Sequence, residues 1–273
     1  MRKTKKKKNL IRVEKIIIAA ALAMFVCTVV VVYMVLGRYD GLGLRRTVPE
    51  NPYDMSYVYE EDGFLHYDDG TYRSVTGIDV SVYQRKIDWK KVKAAGVDFA
   101  MIRLGYRGCD EEGALALDSK FKENLKEAKK AGLDVGVYFF SQAKSTEEAI
   151  KEARFVVRHI RGRGVAYPVV FDMEPIDGAD RITDLNTIEK TQIADAFCQV
   201  IDRNGYTPMI YGNPQWLRKH VNLEYLTKYD TWLAHYADET DYPHDFKMWQ
   251  YSHRGRVDGI KGRVDLNMYF IKD

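Results

Sequence analysis

Residues 167–175 read YPVVFDMEP, a short apolar run that ends in two acids. Consecutive apolar residues bounded by proline are typical of a strand that is buried on both faces. Side chains alternate along a strand, so Asp172 and Glu174 point to the same side. Two carboxylates at the end of a buried strand are costly to accommodate unless they face a wet pocket. The stretch therefore predicts a core strand that delivers an acidic pair to a pocket.

Short apolar runs alternate with helical periodicity on both sides of this stretch, from residue 77 to the C-terminus. The predicted strands cover residues 77–80, 98–104, 134–141, 168–174, 207–212, 231–236, 246–251 and 263–270. The predicted helices cover residues 89–95, 119–131, 146–160 and 187–204. A strand–helix unit repeated about five times, followed by three strands with little helix, predicts an α/β barrel. The alternative is an open doubly wound sheet, without the Gly-rich loop that nucleotide binding requires.

Barrel enzymes carry their chemistry at the carboxyl-terminal ends of the strands, and three of the predicted ends carry acids. Asp79 lies in the first strand, Asp172 and Glu174 end the fourth, and Asp265 lies in the last. Like charges that close raise one pKa, so one acid keeps a proton near neutrality while another stays ionised. Hydrolysis of a glycosidic bond needs this division. The alternatives are solvated acids at a surface strand end, or a Mg²⁺ or Ca²⁺ site; no His lies near these acids in sequence, which argues against zinc.

Aromatic residues on or beside the predicted strands form a second pattern. Flat aromatic faces suit the C–H faces of sugar rings, whereas core packing explains part of the set equally well. Of these residues, Tyr211 and Tyr236 are better pocket candidates than Trp249, because they lie near predicted strand ends. The set comprises Tyr138, Tyr211, Trp232, Tyr236, Trp249 and Tyr251.

Charge and composition bound the function further. Residues 1–15 hold eight Lys or Arg and one Glu, whereas the remaining 258 of the 273 residues hold 34 basic and 38 acidic side chains. The basic character is thus a tail, which excludes a nucleic-acid-binding face on the rest of the chain. With 46% hydrophobic residues and three cysteines, the composition also excludes a disordered chain and a disulfide framework.

The N-terminal region predicts a membrane tether. Residues 16–36 are 21 uncharged positions, IIIAAALAMFVCTVVVVYMVL, which as a helix span roughly 30 Å of bilayer. No small-x-small site follows the run, so we predict an uncleaved signal anchor with residues 1–15 in the cytoplasm; a long cleaved signal peptide is the alternative. Residues 37–63 then predict an extracellular stalk, residues 64–76 a hairpin with an Asp-Gly turn, and residues 77–273 the barrel.

Several short motifs occur in an order that resembles the glycoside hydrolase family 25 lysozymes, the Chalaropsis-type N-acetylmuramidases. The resemblance covers about residues 77–270 and implies a TIM-like (β/α)5β3 barrel. It also implies cleavage, with retention of configuration, of the β-1,4 bond between N-acetylmuramic acid and N-acetylglucosamine in peptidoglycan, without metal or cofactor. The motifs are GIDVS at 77–81 with Gln84 and IDW at 87–89, the D-x-E strand, WLA at 232–234 with Tyr236, WQY at 249–251 and VDLN at 264–267.

The resemblance also implies roles for individual residues. Glu174 matches the general acid/base, and Asp172 matches the acid that attacks the anomeric carbon or steadies the substrate's acetamido group. Asp79 and Asp265 match acids that orient the pair and tune its charge. Arg85 stands where the family often has Gly, which bears on the rim of the groove. The positions that match the sugar groove are Tyr138, Tyr211 and Trp232.

Together these features predict a membrane-tethered muramidase outside a bacterial cell. Its predicted partners are peptidoglycan glycan strands and, through the N-terminal helix, the cell membrane, with no nucleic acid; the sequence identifies no protein partner. Two alternatives remain: a non-catalytic barrel that binds wall glycan, and a chitinase-like or glucosaminidase hydrolase. The chitinase-like alternative is disfavoured because Val170 stands where its D-x-D-x-E strand has the first Asp.

Overall fold

The computed structural model of the protein describes residues 47–176, 178 and 181–273, together with Met24, Phe25 and Thr28. The predicted tail at residues 1–15, and the predicted anchor at residues 16–36 apart from those three positions, lie outside the described residues. Within the part of the chain that is described, no helix has both the length and the apolar character needed to cross a bilayer.

Eight strands close into a barrel around the acidic stretch. The ring runs β3, β4, β6, β7, β8, β9, β10 and β11, and β11 pairs again with β3. All neighbours are parallel except β11, which is antiparallel to both β10 and β3. The strands are β3 (Tyr72–Val80), β4 (Phe99–Arg107), β6 (Asp134–Phe140), β7 (Val169–Asp172), β8 (Pro208–Gly212), β9 (Asp230–Ala234), β10 (Met248–Gly255) and β11 (Val264–Lys272).

Helices connect most of the parallel strands, and several of them begin at a side-chain cap. Ser145 accepts a hydrogen bond from the backbone N–H of Glu148, and Asn186 forms a capping box with Glu189. The predicted helix at residues 146–160 is confirmed to the residue, and the other three predicted helices are confirmed within two residues at each end. The helices are α1 (Trp89–Ala94), α2 (Phe121–Lys130), α3 (Thr146–Ile160), α4 (Thr187–Arg203), α5 (Pro214–Lys219) and α6 (Leu223–Leu226).

The interior of the barrel is apolar at one end and polar at the other. Alternate residues of each strand point inward. Inward residues near the strand beginnings, such as Phe99 and Met248, form an apolar cluster with Val170 and Met209. Inward residues nearer the mouth are instead polar or aromatic. They include Asp79, Arg103, Tyr138, Asp172, Tyr211, Trp232, Gln250 and Asn267.

Close packing fixes this interior at Gly77. A Cβ added at Gly77 would overlap the ring of Phe99, its register partner on β4. The position therefore requires glycine because of the ring beside it, and GIDVS begins with glycine for a packing reason.

The direction of the last strand corrects one prediction. Asp265 was expected at a carboxyl-terminal strand end, like the other acids. It lies instead at the second residue of β11, whose beginning reaches the mouth because the strand runs antiparallel to its neighbours. Asp265 consequently pairs in register with Asp79. The connection through residues 256–263 was the available signal, because eight residues are too few for the crossover that parallel neighbours need.

The described part of the predicted stalk packs against the barrel. Tyr53 is buried and its ring stacks on Phe270 with centroids 3.9 Å apart. Glu50 forms an isolated β-bridge with His244, just before β10. Residues 47–63 are therefore part of the folded unit, which extends from Thr47 to Asp273. The prediction of a stalk is wrong for these residues. The sequence did not reveal their packing, because buried aromatic residues such as Tyr53 show no periodicity in so short a segment.

A hairpin precedes the barrel, but its turn differs from the predicted one. Strands β1 (Val58–Glu61) and β2 (Phe64–Tyr67) pair antiparallel through a two-residue turn, Asp62-Gly63, with positive φ at both residues. The predicted turn at residues 68–70 is also present, and it joins β2 to β3. A further strand that the sequence did not predict, β5 (Leu115–Leu117), pairs with the outer end of β4.

Candidate active site

Four predicted acids meet at the mouth of the barrel. Asp79 lies on β3, Asp265 on β11, and Asp172 is the last residue of β7, followed by Glu174 two positions later. Asp79 and Asp172 are buried, while Glu174 and Asp265 are partly exposed. The structure thus brings the predicted acids together, two nearly inaccessible and two open to the mouth.

Two amide side chains hold the Asp79 carboxylate. Gln250 Nε2 donates to Asp79 Oδ2 at 2.7 Å, and Asn267 Nδ2 donates to the same oxygen at 2.8 Å. Gln250 in turn accepts hydrogen bonds from the hydroxyls of Tyr211 at 2.9 Å and Tyr236 at 3.1 Å. Asp79 is therefore the centre of a fixed network, because every member is oriented by a second partner.

The Asp172–Glu174 pair is positioned through its backbone. The backbone N–H of Ser141 donates to the carbonyl of Asp172 at 2.7 Å, and Gln142 Nε2 donates to the carbonyl of Glu174 at 2.9 Å. These contacts leave both carboxyl groups turned toward the mouth. Among the described residues, Oδ1 of Asp172 is buried with no hydrogen-bond partner. A buried, unsatisfied acceptor in a mouth is suited to receive a donor from a ligand.

Burial raises the pKa of every acid in the mouth, and the charges of neighbouring acids add to the rise for Asp172, Glu174 and Asp265. For Asp172 the pKa lies well above its ordinary value, because of burial first and then the charges of Glu174 and Asp79. Burial also raises the pKa of Glu174. The pKa of Asp265 rises to about 8, through burial and the neighbouring charge of Asp79. For Asp79, burial raises the pKa, and the hydrogen bonds from Asn267 and Gln250 oppose that rise.

These shifts keep protons in the mouth at neutral pH. Four ordinary carboxyl groups would all be ionised at pH 7. In this cluster, removing the last proton from the Asp172–Glu174 pair would leave two adjacent anions in a poorly solvated site. The pair therefore retains a proton that can be donated to a bound molecule.

The three residues predicted to line a sugar groove form one aromatic cluster. The Trp232 ring meets Tyr211 edge-on at 4.9 Å between centroids, and Tyr138 at 6.0 Å. Trp232 is buried and its Nε1 donates to Asn267 Oδ1 at 2.9 Å. Tyr138 is more accessible than the other two. The three rings form the floor of the mouth, and Trp232 is the most buried of them. Trp249 is fully buried, as core packing predicts.

Sequence reasoning gave no role to three residues that shape this site. Gln250 and Asn267 lie in the quoted WQY and VDLN motifs. They are register partners on the neighbouring strands β10 and β11, and their convergence on Asp79 emerges only from the closed barrel. Arg103 pairs with Asp118 at 2.8 Å, and its positive charge lowers the pKa of Asp172, opposing the other influences on that group. The available signal is the charge of Arg103, which lies in the middle of the otherwise apolar first half of β4 on the inward-facing side.

The arrangement suits acid–base chemistry on a neutral, hydroxyl-rich ligand. It supplies a retained proton at Asp172–Glu174, an unpaired acceptor at Asp172, and an aromatic floor. A retained proton in a mouth with an anionic partner is the requirement of glycosidic bond cleavage.

Comparison with known proteins identifies the family of the barrel. The family model "Glycosyl hydrolases family 25" matches residues 78–260. Lysozyme M1 of Streptomyces globisporus is 30% identical over 71% of this chain and 67% of its own. The solved bacterial lysozyme of Streptomyces coelicolor is 26% identical, with a TM-score of 0.57, over 74% of this chain and 93% of its own.

A third relative was solved with a ligand. The modular autolysin LytC of Streptococcus pneumoniae, in complex with a synthetic peptidoglycan ligand, is 23% identical with a TM-score of 0.63. The match covers 78% of this chain but only 58% of the LytC chain. At this identity LytC supports the barrel fold, whereas the family model covers most of this chain and includes three of the four acids of the mouth. The chain belongs to the glycosyl hydrolases of family 25, and is a lysozyme-type peptidoglycan hydrolase.

Proposed function

We propose that the mouth cleaves the β-1,4 bond between N-acetylmuramic acid and N-acetylglucosamine in peptidoglycan, with Glu174 as general acid/base and Asp172 assisting. The observation that carries the proposal is the pair of carboxyl groups itself: Asp172 and Glu174 lie together at the mouth, and among the described residues Oδ1 of Asp172 is buried without a hydrogen-bond partner. Burial raises the pKa of both groups, which favours a retained proton. The ligand solved with LytC is peptidoglycan-like, which supports the same substrate here.

The first step uses the proton on Glu174. An acetamido N–H of the substrate donates to Oδ1 of Asp172, which favours the ionised form of Asp172 and places the shared proton on Glu174. Glu174 then protonates the glycosidic oxygen as the C–O bond breaks. The acetamido carbonyl oxygen attacks the anomeric carbon, and Asp172 stabilises the positive charge that develops on the amide. Attack by Asp172 itself gives the same stereochemistry.

The second step reverses the role of Glu174. Its carboxylate accepts a proton from water, whose oxygen attacks the anomeric carbon from the face that the leaving sugar vacated. The bond between the anomeric carbon and the acetamido oxygen breaks in the same step, which restores the neutral acetamido group. The configuration is retained and Glu174 regains its proton. The charge of Asp79 raises the pKa of both members of the pair, and the hydrogen bonds from Gln250 and Asn267 fix Asp79 in place. Asp265, with its pKa raised to about 8, keeps its proton at neutral pH.

Mass spectrometry of digested peptidoglycan tests the bond that is cut. The full chain is incubated with purified peptidoglycan, and the new reducing ends are identified after borohydride reduction. Reduced N-acetylmuramic acid ends are expected. Reduced N-acetylglucosamine ends would show a glucosaminidase instead, and binding to the wall without new ends would show a glycan-binding barrel.

We further propose that residues 16–36 anchor the enzyme in a bacterial cell membrane with its barrel outside. The uncharged run and the basic tail before it support this placement. The chain also enters the folded unit beside His244 and Asp245, which precede β10, at the end of the barrel away from the mouth. A tether attached there leaves the mouth unobstructed.

Carbonate extraction of membranes from cells that make the full chain tests the anchor. The chain is expected in the membrane pellet, at full length, with its barrel cleaved by protease added outside spheroplasts. A soluble product that begins after residue 36 would contradict the anchor and identify a cleaved signal peptide. Either result leaves the proposed chemistry of the mouth unaffected.

A further inference from the structure

A pocket of about 510 Å³ lies where the β1–β2 hairpin packs against the barrel, next to the mouth. Tyr236 lines this pocket and also belongs to the acid network, since its hydroxyl donates to Gln250 Oε1 at 3.1 Å. Gln250 in turn donates to Asp79. The edge of the pocket is thus two hydrogen bonds from one of the four acids. We call this feature the hairpin pocket; its polar or open wall positions are Glu60, Gly63, Tyr236, Asp238, Ser252 and Arg254.

The wall that the hairpin contributes is fixed to the barrel. The backbone N–H of Leu65 donates a hydrogen bond to the Tyr251 hydroxyl at 3.2 Å. Phe64 is 5% exposed and Tyr67 is 1% exposed, so both strand ends of β2 are anchored in the core. The tight Asp62-Gly63 turn sets the register of β1 against β2. This hairpin lies before residue 78, outside the part of the chain that the family model matches.

Charges of both signs face the hairpin pocket. Arg254 uses its Nε to donate to His253 Nε2 at 3.0 Å, which leaves the other guanidinium N–H groups for a ligand. Glu60 and Asp238 are exposed on the opposite part of the wall. Among the described residues, none of these three side chains takes part in an ion pair. The Tyr236 ring, 50% exposed, separates the charged groups from the acids of the mouth.

The substrate offers a group with matching chemistry. Peptidoglycan is a neutral glycan whose muramic acid residues each carry a short peptide branch, and such branches bear carboxylates and, on a diamino acid, an amine. A muramidase binds muramic acid at the bond it cuts, so the branch leaves the glycan beside the catalytic acids. A pocket there, with a guanidinium for a carboxylate and carboxylates for an amine, has the complementary charges.

We propose that the hairpin pocket binds the peptide branch of the muramic acid at the cleaved bond, with Arg254 pairing with a branch carboxylate and Glu60 with a branch amine. This inference rests on the proposed function, because it requires muramic acid beside the acids. It makes the enzyme selective for glycan that still carries peptide, through a hairpin that the family model does not include.

The test compares two substrates for each variant of the full chain. One is intact peptidoglycan, and the other is the same material stripped of its peptides by an amidase. The measured quantity is the ratio of kcat/KM on intact to kcat/KM on stripped glycan. Loss of a charge-assisted contact predicts that Arg254→Ala lowers this ratio about tenfold, and that Glu60→Ala lowers it by a smaller factor, ~3-fold.

Arg256→Ala is the matched control, since Arg256 is exposed two residues away and does not line the pocket. Its ratio is expected to equal that of the wild type. A ratio unchanged in Arg254→Ala, or equal losses on both substrates, would overturn the inference while leaving the muramidase intact. If the wild type released no muramic acid ends from either substrate, the proposed function itself would fail, which is a different result.

Discussion

Asp79 and Asp265 are register partners on the antiparallel strands β3 and β11, so two carboxyl groups face each other inside the mouth of the barrel. Burial and then the charge of Asp79 raise the pKa of Asp265 to about 8. The hydrogen bond with Asp265 is one of the contacts that lower the pKa of Asp79 against the effect of burial. The protein accepts this repulsion at a position where an amide would fit the same space. The placement keeps a proton near Glu174, and it lowers the stability of the folded protein at pH values where Asp265 ionises.

Replacing Asp265 with Asn tests this cost through pH. The ordinary pKa of 3.8 applies to the unfolded chain, and the raised value of about 8 to the folded one. Between these values the folded state binds a proton that the unfolded state has released, so stability falls as pH rises from about 4 to 8. Asp265→Asn removes this decline. We expect its Tm to exceed that of the wild type by roughly 3–6 °C at pH 8, with a smaller difference at pH 5.

Thermal unfolding at pH 4, 5, 6, 7 and 8, followed by circular dichroism, checks the prediction. A Tm difference that does not change with pH would show that Asp265 titrates normally. A difference that grows toward low pH would reverse the sign and contradict the proposed repulsion.

Asn267 is predicted to support both Asp79 and Trp232. Its amide donates to Asp79 at 2.8 Å and accepts from the Trp232 indole at 2.9 Å. Asn267→Ala leaves a buried indole N–H without its acceptor, which costs about 1–3 kcal/mol in the free energy of unfolding. It also removes one donor from Asp79, so we expect hydrolysis to fall by about tenfold or more.

Urea unfolding and release of soluble muropeptides measure the two effects. Asn204→Ala is the control, because Asn204 is exposed at the end of α4 and should change neither quantity. Full activity in Asn267→Ala would show that the network around Asp79 does not contribute to catalysis.

A buried ion pair at the carboxyl end of β4 is predicted to contribute strongly to stability. Arg107 Nε pairs with Glu152 at 2.6 Å, and the other carboxylate oxygen of Glu152 accepts from the Ser141 hydroxyl at 2.7 Å. Both side chains are 5% exposed or less. Glu152→Ala leaves the Arg107 guanidinium buried without its main partner, so we expect a loss of about 3–5 kcal/mol in the free energy of unfolding.

The surface pair of Lys120 and Glu123 provides the comparison, since these side chains are 31% and 51% exposed. Glu123→Ala should cost less than about 1 kcal/mol in the same urea experiment. Equal losses in Glu152→Ala and Glu123→Ala would contradict the importance of burial.

Local signals in the sequence predicted most of the barrel and the acids of its mouth. The helix at residues 146–160 was predicted exactly because its cap, its apolar period and its terminal glycine are all local. Asp172 and Glu174 were found because alternation on one buried strand is also local. The antiparallel direction of β11 was missed although the short connection before it was the available signal. The packing of Tyr53 on Phe270 was missed because it joins residues far apart in the chain.

The supporting residues of the site were missed for the same reason. Gln250 and Asn267 come from neighbouring strands and converge on Asp79 only after the barrel closes. Nothing in the WQY or VDLN motifs distinguishes an amide that orients an acid from one that satisfies the core. The Asp62-Gly63 turn, in contrast, was visible in the sequence; the second Asp-Gly pair at residues 69–70 competed for the same hairpin.

The activity of Glu174→Gln tests the central claim most directly. The substitution keeps the size of the side chain and removes its proton chemistry. We expect a Tm close to that of the wild type and a fall in muropeptide release of roughly 10²–10⁴-fold, the range of general acid–base catalysis. A folded Glu174→Gln enzyme that retained most of the wild-type rate would contradict the account.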